Sequence, residues 1–153
     1  MTRIDFYILQ SDNDQARLDF SCRLIEKAFS QGNRVLIQTE SLTASNELDH
    51  LLWYFKPESY VPHVIHAHSD TTEFNLSEPV VISHEADKIN LPETSPPFGL
   101  LLNMSHDVPV RFKQHTRYAQ IVNQSPKRLE ASRKHFAFFK EQGYSVEVNK
   151  INR

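Results

Sequence analysis

The strongest constraint on how this chain can fold is an alternation of two hydrophobic periodicities in its first fifty-odd residues. Residues 4–9 (IDFYIL) form a short, strongly apolar run of strand type. SDND then supplies helix-capping side chains, and residues 15–30 carry helical spacing. Ala16, Phe20, Leu24 and Ala28 make one stripe, flanked by Leu18, Cys22, Ile25 and Phe29. So wide an apolar face has to be covered. The helix stops at Gln31-Gly32, where glycine can take the left-handed position. Residues 34–39 (RVLIQT) read as a second buried strand, and Ser41-Leu42-Thr43 opens a helix reaching Tyr54, with Leu48, Leu51, Leu52 and Phe55 turned inward. Strand, helix, strand, helix in this rhythm predicts a parallel sheet covered on both faces.

The rest of the chain extends that pattern. Residues 79–83 (PVVIS) and 99–104 (GLLLNM) are further strands, separated by the polar, proline-rich loop HEADKINLPETSPPF. Residues 108–112 and 116–122 form a weaker pair, one of them a strand. Residues 127–142 are a helix ending at Gln142-Gly143, and 144–148 a last strand. The expected architecture is one domain over residues 1–153. It is a single three-layer α/β/α sandwich with a mixed, mostly parallel sheet, Rossmann-like in outline.

Such a fold invites a search for a phosphate site. The turn after the first strand, Gln10 to Asp14, has no glycine and carries two carboxylates, which would repel an anion. Neither G-x-x-x-x-G-K-[ST] nor G-x-G-x-x-G occurs, so no ordinary nucleotide site is expected. His63, His66 and His68 (HVIHAH) match none of the usual zinc spacings, and no metal or cofactor is expected. Cys22, the one cysteine, lies on an apolar helix face and reads as a packing residue. No serine sits in G-x-S-x-G, and Asp12 and Asp14 fit a helix N-terminus, so catalysis has no positive support. No apolar run approaches ~18 residues, and the opening MTRIDFYILQSDND is unlike a signal peptide. A cytoplasmic protein without a membrane span is expected.

Surface chemistry remains. Net charge is −2, but residues 70–93 hold six carboxylates against Lys88, and 126–153 hold seven Lys/Arg against three Glu. A mildly basic C-terminal region on a weakly acidic protein suits a small acidic partner better than duplex DNA. On the last helix Leu129, Arg133, Phe136 and Lys140 fall on one stripe, with Lys127 and Lys134 bordering it. The stripe could hold an acidic, aromatic peptide. Spacing alone favours the plainer reading, in which Phe136 faces the core and the cations are a solvated flank. The segment LLWYFKPESYVPH, residues 51–63, contains the only tryptophan and two prolines. By composition it is equally a satellite cluster under the sheet edge or a rigid apolar interface.

Several stretches together resemble one family. FYIL near the start, RLIEKAFSQGNRVLI, ELDHLLWYFKPESYVPH and the closing QGYSVEV look like the chi subunit of bacterial DNA polymerase III holoenzyme. The match is densest in the first 65 residues and weakest between about 66 and 125. The pattern LLW-x-F-x-P-x-S-[FY]-VPH, following Q-G-x-R-V-L-I, is its most specific part. The resemblance implies a non-catalytic accessory subunit of the clamp loader, with an α/β fold, no cofactor and two protein partners. The psi subunit would meet Trp53 and Tyr60, bordered by Pro57, Val61 and Pro62. The acidic, phenylalanine-ended tail of single-stranded DNA-binding protein would meet the last helix at Arg133 and Phe136. Two family lysines fall on Leu129 and Ala137, for which Lys127, Lys134 or Lys140 would substitute. Little direct DNA binding is implied, at a cytoplasmic location on replication forks. The rival readings are a Rossmann-like nucleotide binder and a stand-alone nucleic-acid-binding module using the basic C-terminal helix.

Overall fold

The computed structural model describes residues 1–55, 61–66, 78–89 and 98–152. Seven strands and three α-helices follow in the order β1 (Arg3–Leu9), α1 (Asp14–Ser30), β2 (Val35–Gln38), α2 (Leu42–Tyr54), β3 (His63–His66), β4 (Val80–Ser83), β5 (Leu100–Asn103), β6 (Arg117–Val122), α3 (Pro126–Glu141) and β7 (Val146–Ile151). The strands make one sheet in the order β3-β4-β2-β5-β6-β1-β7. Every ladder in it is parallel. The expected α/β sandwich is present, but the sheet is wholly parallel rather than mixed. Consecutive strands are joined by helices or long connections, so none returns as a hairpin.

Local sequence sets the helix ends. Asn13 caps α1 by accepting from the Gln15 N–H at 2.7 Å, and Ser41 caps α2 by accepting from the Ala44 N–H at 3.1 Å. Gly32 and Gly143 follow α1 and α3 with φ of 84° and 87°, a backbone conformation that a side chain would strain.

The sheet separates two apolar layers. Along β2, Val35 and Ile37 face α1 and α2 while Leu36 faces the opposite side. The first layer joins Leu9, Cys22, Ile25, Leu48, Leu52 and Leu102. In the second, α3 inserts the fully buried Phe139 among Phe112, Tyr118 and Phe138, with ring centroids at 5.2, 4.9 and 5.3 Å. Across β1 and β6, the buried Asp5 carboxylate takes the Arg117 Nε at 2.6 Å, and the Arg117 guanidinium also donates to the Tyr7 hydroxyl.

Residues 63–66, which hold two of the histidines weighed as metal ligands, are an edge strand whose alternation sends those histidines apart. His63 points toward α2, and His66 reaches Ser83 Oγ at 3.0 Å on the other face. His68 lies outside the described residues, among which no group of three potential metal ligands occurs. Of the weaker pair, β6 is the strand, and residues 108–112 lead into a 3₁₀ turn at Phe112–Gln114. No helix among the described residues is long and apolar enough to cross a membrane.

Cys22 is fully buried in the first layer, and burial pushes its thiol up to about 12. A thiol reagent is therefore expected to label Cys22 only in step with denaturant unfolding. Rapid stoichiometric labelling of the native protein would contradict this packing.

Candidate protein-binding surfaces

In doubly wound parallel sheets, ligands collect at the carboxyl ends of the strands where neighbouring connections leave toward opposite faces. Here α1 departs from β1 to one face and α3 departs from the adjacent β6 to the other. The crevice between their N-termini holds ion pairs. Arg128 meets Glu40 at 3.1 Å and Asp14 at 3.6 Å, Arg17 meets Asp14 at 3.5 Å, and His106 meets Glu40 at 3.2 Å. Burial and the adjacent Arg128 charge bring Arg17 down to about 10. The turn before α1 is occupied as well, since Ser11 Oγ accepts from the Asn13 N–H at 2.9 Å. This crevice ties the layers together through side chains of alternating charge.

The end of α2 has a different character. Leu52 is buried, and Leu51 and Phe55 pack against the first layer. Trp53 is 45 % exposed and Tyr54 69 % exposed. One residue along a helix turns the side chain by about 100°, which takes the surface from core at Leu52 to solvent at Trp53. The inward placement of Leu51, Leu52 and Phe55 is as the spacing predicts. Pro57 and Tyr60 fall outside the described residues. Pro62 is half-buried. Val61 is 1 % exposed and belongs to the core, so its side chain backs this surface and cannot border a partner directly, contrary to expectation.

On α3 the candidate cations divide. Arg133 is exposed, Phe136 is half-buried with its edge against Phe6 at 6.2 Å, and Lys140 Nζ stands 5.7 Å from the Phe136 ring centre. The ring packs on the core and still carries a cation beside it. Lys127 and Lys134 do not border that stripe. Lys134 lies about 160° around the helix from Phe136. It pairs with Glu130 at 3.6 Å and, with Lys127, lines an open groove of about 990 Å³ between α3 and the segment before the 3₁₀ turn.

The groove was not legible as a site. Its apolar wall is Val108, Pro109, Val110, Phe112, Ala131 and Phe138, with Val110 83 % exposed and Phe138 37 % exposed. The helical repeat from Lys127 through Ala131 and Lys134 to Phe138 was its one sequence signal. A buried hydrogen-bond chain secures the loop wall. Asn103 Nδ2 donates to Tyr118 Oη at 2.8 Å, Tyr118 to Gln120 Oε1 at 2.6 Å, Gln120 Nε2 to His135 Nδ1 at 2.8 Å, and His135 Nε2 to the His106 carbonyl at 2.7 Å. His135 Nδ1 faces the Gln120 side-chain amide, with Nε2 at 2.8 Å and Oε1 at 3.1 Å, and burial lowers the His135 pKa.

The family model described as DNA polymerase III chi subunit, HolC, matches residues 1–147. A Pseudomonas aeruginosa protein named DNA polymerase III subunit chi is 32 % identical over 153 residues, covering 100 % of this chain and 99 % of that one. A Haemophilus influenzae protein of the same name is 25 % identical over 146 residues, covering 95 % of each. The match spans the sheet, the exposed end of α2 and all of α3, and the chain belongs to the DNA polymerase III chi subunit family, accessory subunits of the replicative polymerase.

Proposed function

We propose that this chain is a non-catalytic bridge within the replicase, operating in the cytoplasm at replication forks. Its α2 surface around Trp53 binds the psi subunit of the clamp loader, with Tyr60, Pro57 and Pro62 completing the patch. Its α3 surface binds the acidic, phenylalanine-ended tail of single-stranded DNA-binding protein. The observation that carries this reading is Trp53, left 45 % exposed directly after the buried Leu52. A large exposed aromatic on a rigid helix end has the chemistry of an interface hot spot, since it needs little ordering on binding. On α3, Arg133 and Lys140 offer cations to carboxylates around the apolar ring of Phe136. Several weak tail contacts would raise the effective concentration of the replicase at coated single strands without tight DNA binding by this chain.

Calorimetric titration with an acidic, phenylalanine-ended peptide tests the second half of the bridge. Binding is expected to weaken with added salt, and Arg133→Ala and Phe136→Ala each to lose about tenfold or more. If both variants bind as the parent does, the flank is misassigned, and a Lys127→Glu/Lys134→Glu protein shows whether the groove takes the peptide instead. Tight binding of a bare oligonucleotide with a steep salt slope would favour the stand-alone nucleic-acid module.

A further inference from the structure

β7 closes one edge of the sheet, with β1 on one side and, among the described residues, no strand on the other. In a parallel ladder the N–H and C=O groups of successive residues point alternately to the two neighbouring strands. The Arg3 N–H donates to the Thr116 carbonyl at 3.0 Å, so Arg3, Asp5 and Tyr7 turn their backbone groups to β6. Ile4, Phe6 and Ile8 then turn theirs to β7. With Ile4 opposite Val146 and Phe6 opposite Val148, the β7 residues that answer them are Glu147 and Asn149. Val146, Val148 and Lys150 therefore hold their N–H and C=O groups toward the open edge. By the pleat, the side chains of these same three residues share the α3 face with Ile4, Phe6 and Ile8, whereas Glu147 and Asn149 face the α1 side.

The open edge runs beside an apolar strip with cations around it. Val148 is 45 % exposed and in register with Phe6, whose ring meets that of Phe136 edge-on at 6.2 Å between centres. Lys140 Nζ stands 5.7 Å from the Phe136 ring centre, Arg133 is exposed on the same flank of α3, and Lys150 follows Val148 along the edge. The carboxylates closest in sequence turn away. Glu147 is on the α1 side of the sheet, and Glu141 lies about 140° around α3 from Phe136. We propose that an extended acidic peptide binds here as an added strand on β7, with its main chain paired to Val146, Val148 and Lys150. Its large apolar side chain lies over Val148 and Phe136, and its carboxylates meet Arg133, Lys140 and Lys150. The proposal rests on the α3 half of the bridge and deepens it, because main-chain pairing to a sheet edge gives a short peptide affinity that side-chain contacts alone do not. It also extends the site to Val148 and Lys150.

Backbone amide exchange of the full chain, read residue by residue by NMR with and without the acidic, phenylalanine-ended peptide, tests the pairing. Bound peptide is expected to slow exchange at Val148 and Lys150 by about tenfold or more, while Glu147 and Asn149, already bonded to β1, change little. Contact through side chains alone would not produce that alternation. Val148→Pro removes an outward N–H without breaking the β1 ladder, a change that an edge strand tolerates. It should melt close to the parent and bind the peptide about tenfold more weakly, whereas Val148→Ile should bind as the parent does. Should Val148→Pro fail to fold, amide exchange in the parent decides alone. Peptide binding that depends on Arg133 yet leaves the β7 amides unchanged, or slows all of them equally, overturns the added strand and keeps the α3 site. Parent-like binding by a folded Val148→Pro overturns it as well. No peptide binding at all removes both.

Discussion

Replacing Phe139 with alanine is expected to destabilise the protein by about 3–5 kcal/mol, the cost of removing a large ring from a packed core. For a chain of this length that lowers the melting temperature by roughly 10 °C. Phe139 is fully buried and meets Phe6, Phe112, Tyr118, Phe138 and Tyr144 within 6.2 Å between ring centres. These rings come from β1, the 3₁₀ turn, β6, α3 and the segment before β7, so collapse around the vacancy would have to move several elements together. Little relief from such collapse is expected, and the loss should sit at the high end of the range. Denaturant melts of the two proteins measure it. A change below about 1 kcal/mol would mean that α3 is held mainly by something other than this aromatic cluster.

Trp53→Ala should behave in the opposite way. The side chain is half in solvent, so stability should change by about 1 kcal/mol or less. Association with psi, on the proposed reading, should weaken by about 2 kcal/mol or more, roughly thirtyfold, because a truncated hot-spot aromatic takes its burial with it. Binding of the acidic peptide to α3 should be unchanged, since that surface lies on the other face of the sheet. Titrations with each partner, alongside a thermal melt, separate the outcomes. A large drop in melting temperature with loss of both partners would make Trp53 a structural residue and remove the main support for the bridge.

The elements that could be read in advance are those whose hydrophobic period is long enough to be unambiguous. α1 shows this best, where four turns of apolar spacing run from a capping Asn13 to the left-handed Gly32. β3 could not be read, because four residues with two histidines carry too short a period and too polar a composition for a strand. Strand direction was legible from the β-α-β rhythm at the start of the chain and unreadable for the later strands. A strand pattern is the same whether its neighbour runs parallel or antiparallel, and the wholly parallel sheet follows from where the connections place each strand.

At the candidate sites the division is finer. The turn from Leu52 to Trp53 is local helix geometry, so the inward and outward residues of α2 were legible from spacing. The flank occupied by each α3 cation was not. Lys127, Lys134 and Phe138 became one groove only when the segment around Val110 folded beside them. The buried contact beneath Trp53 lies furthest from sequence reasoning. His63 and Asp49 are fourteen positions apart, and no local rule brings an imidazole between a backbone carbonyl and that carboxylate. By itself, then, the sequence determined which segments would be apolar, where the helices begin and stop, and which family the chain belongs to, because these depend on neighbours along the chain. The tertiary structure decided which polar groups meet. That depends on distances between elements that chain order does not specify.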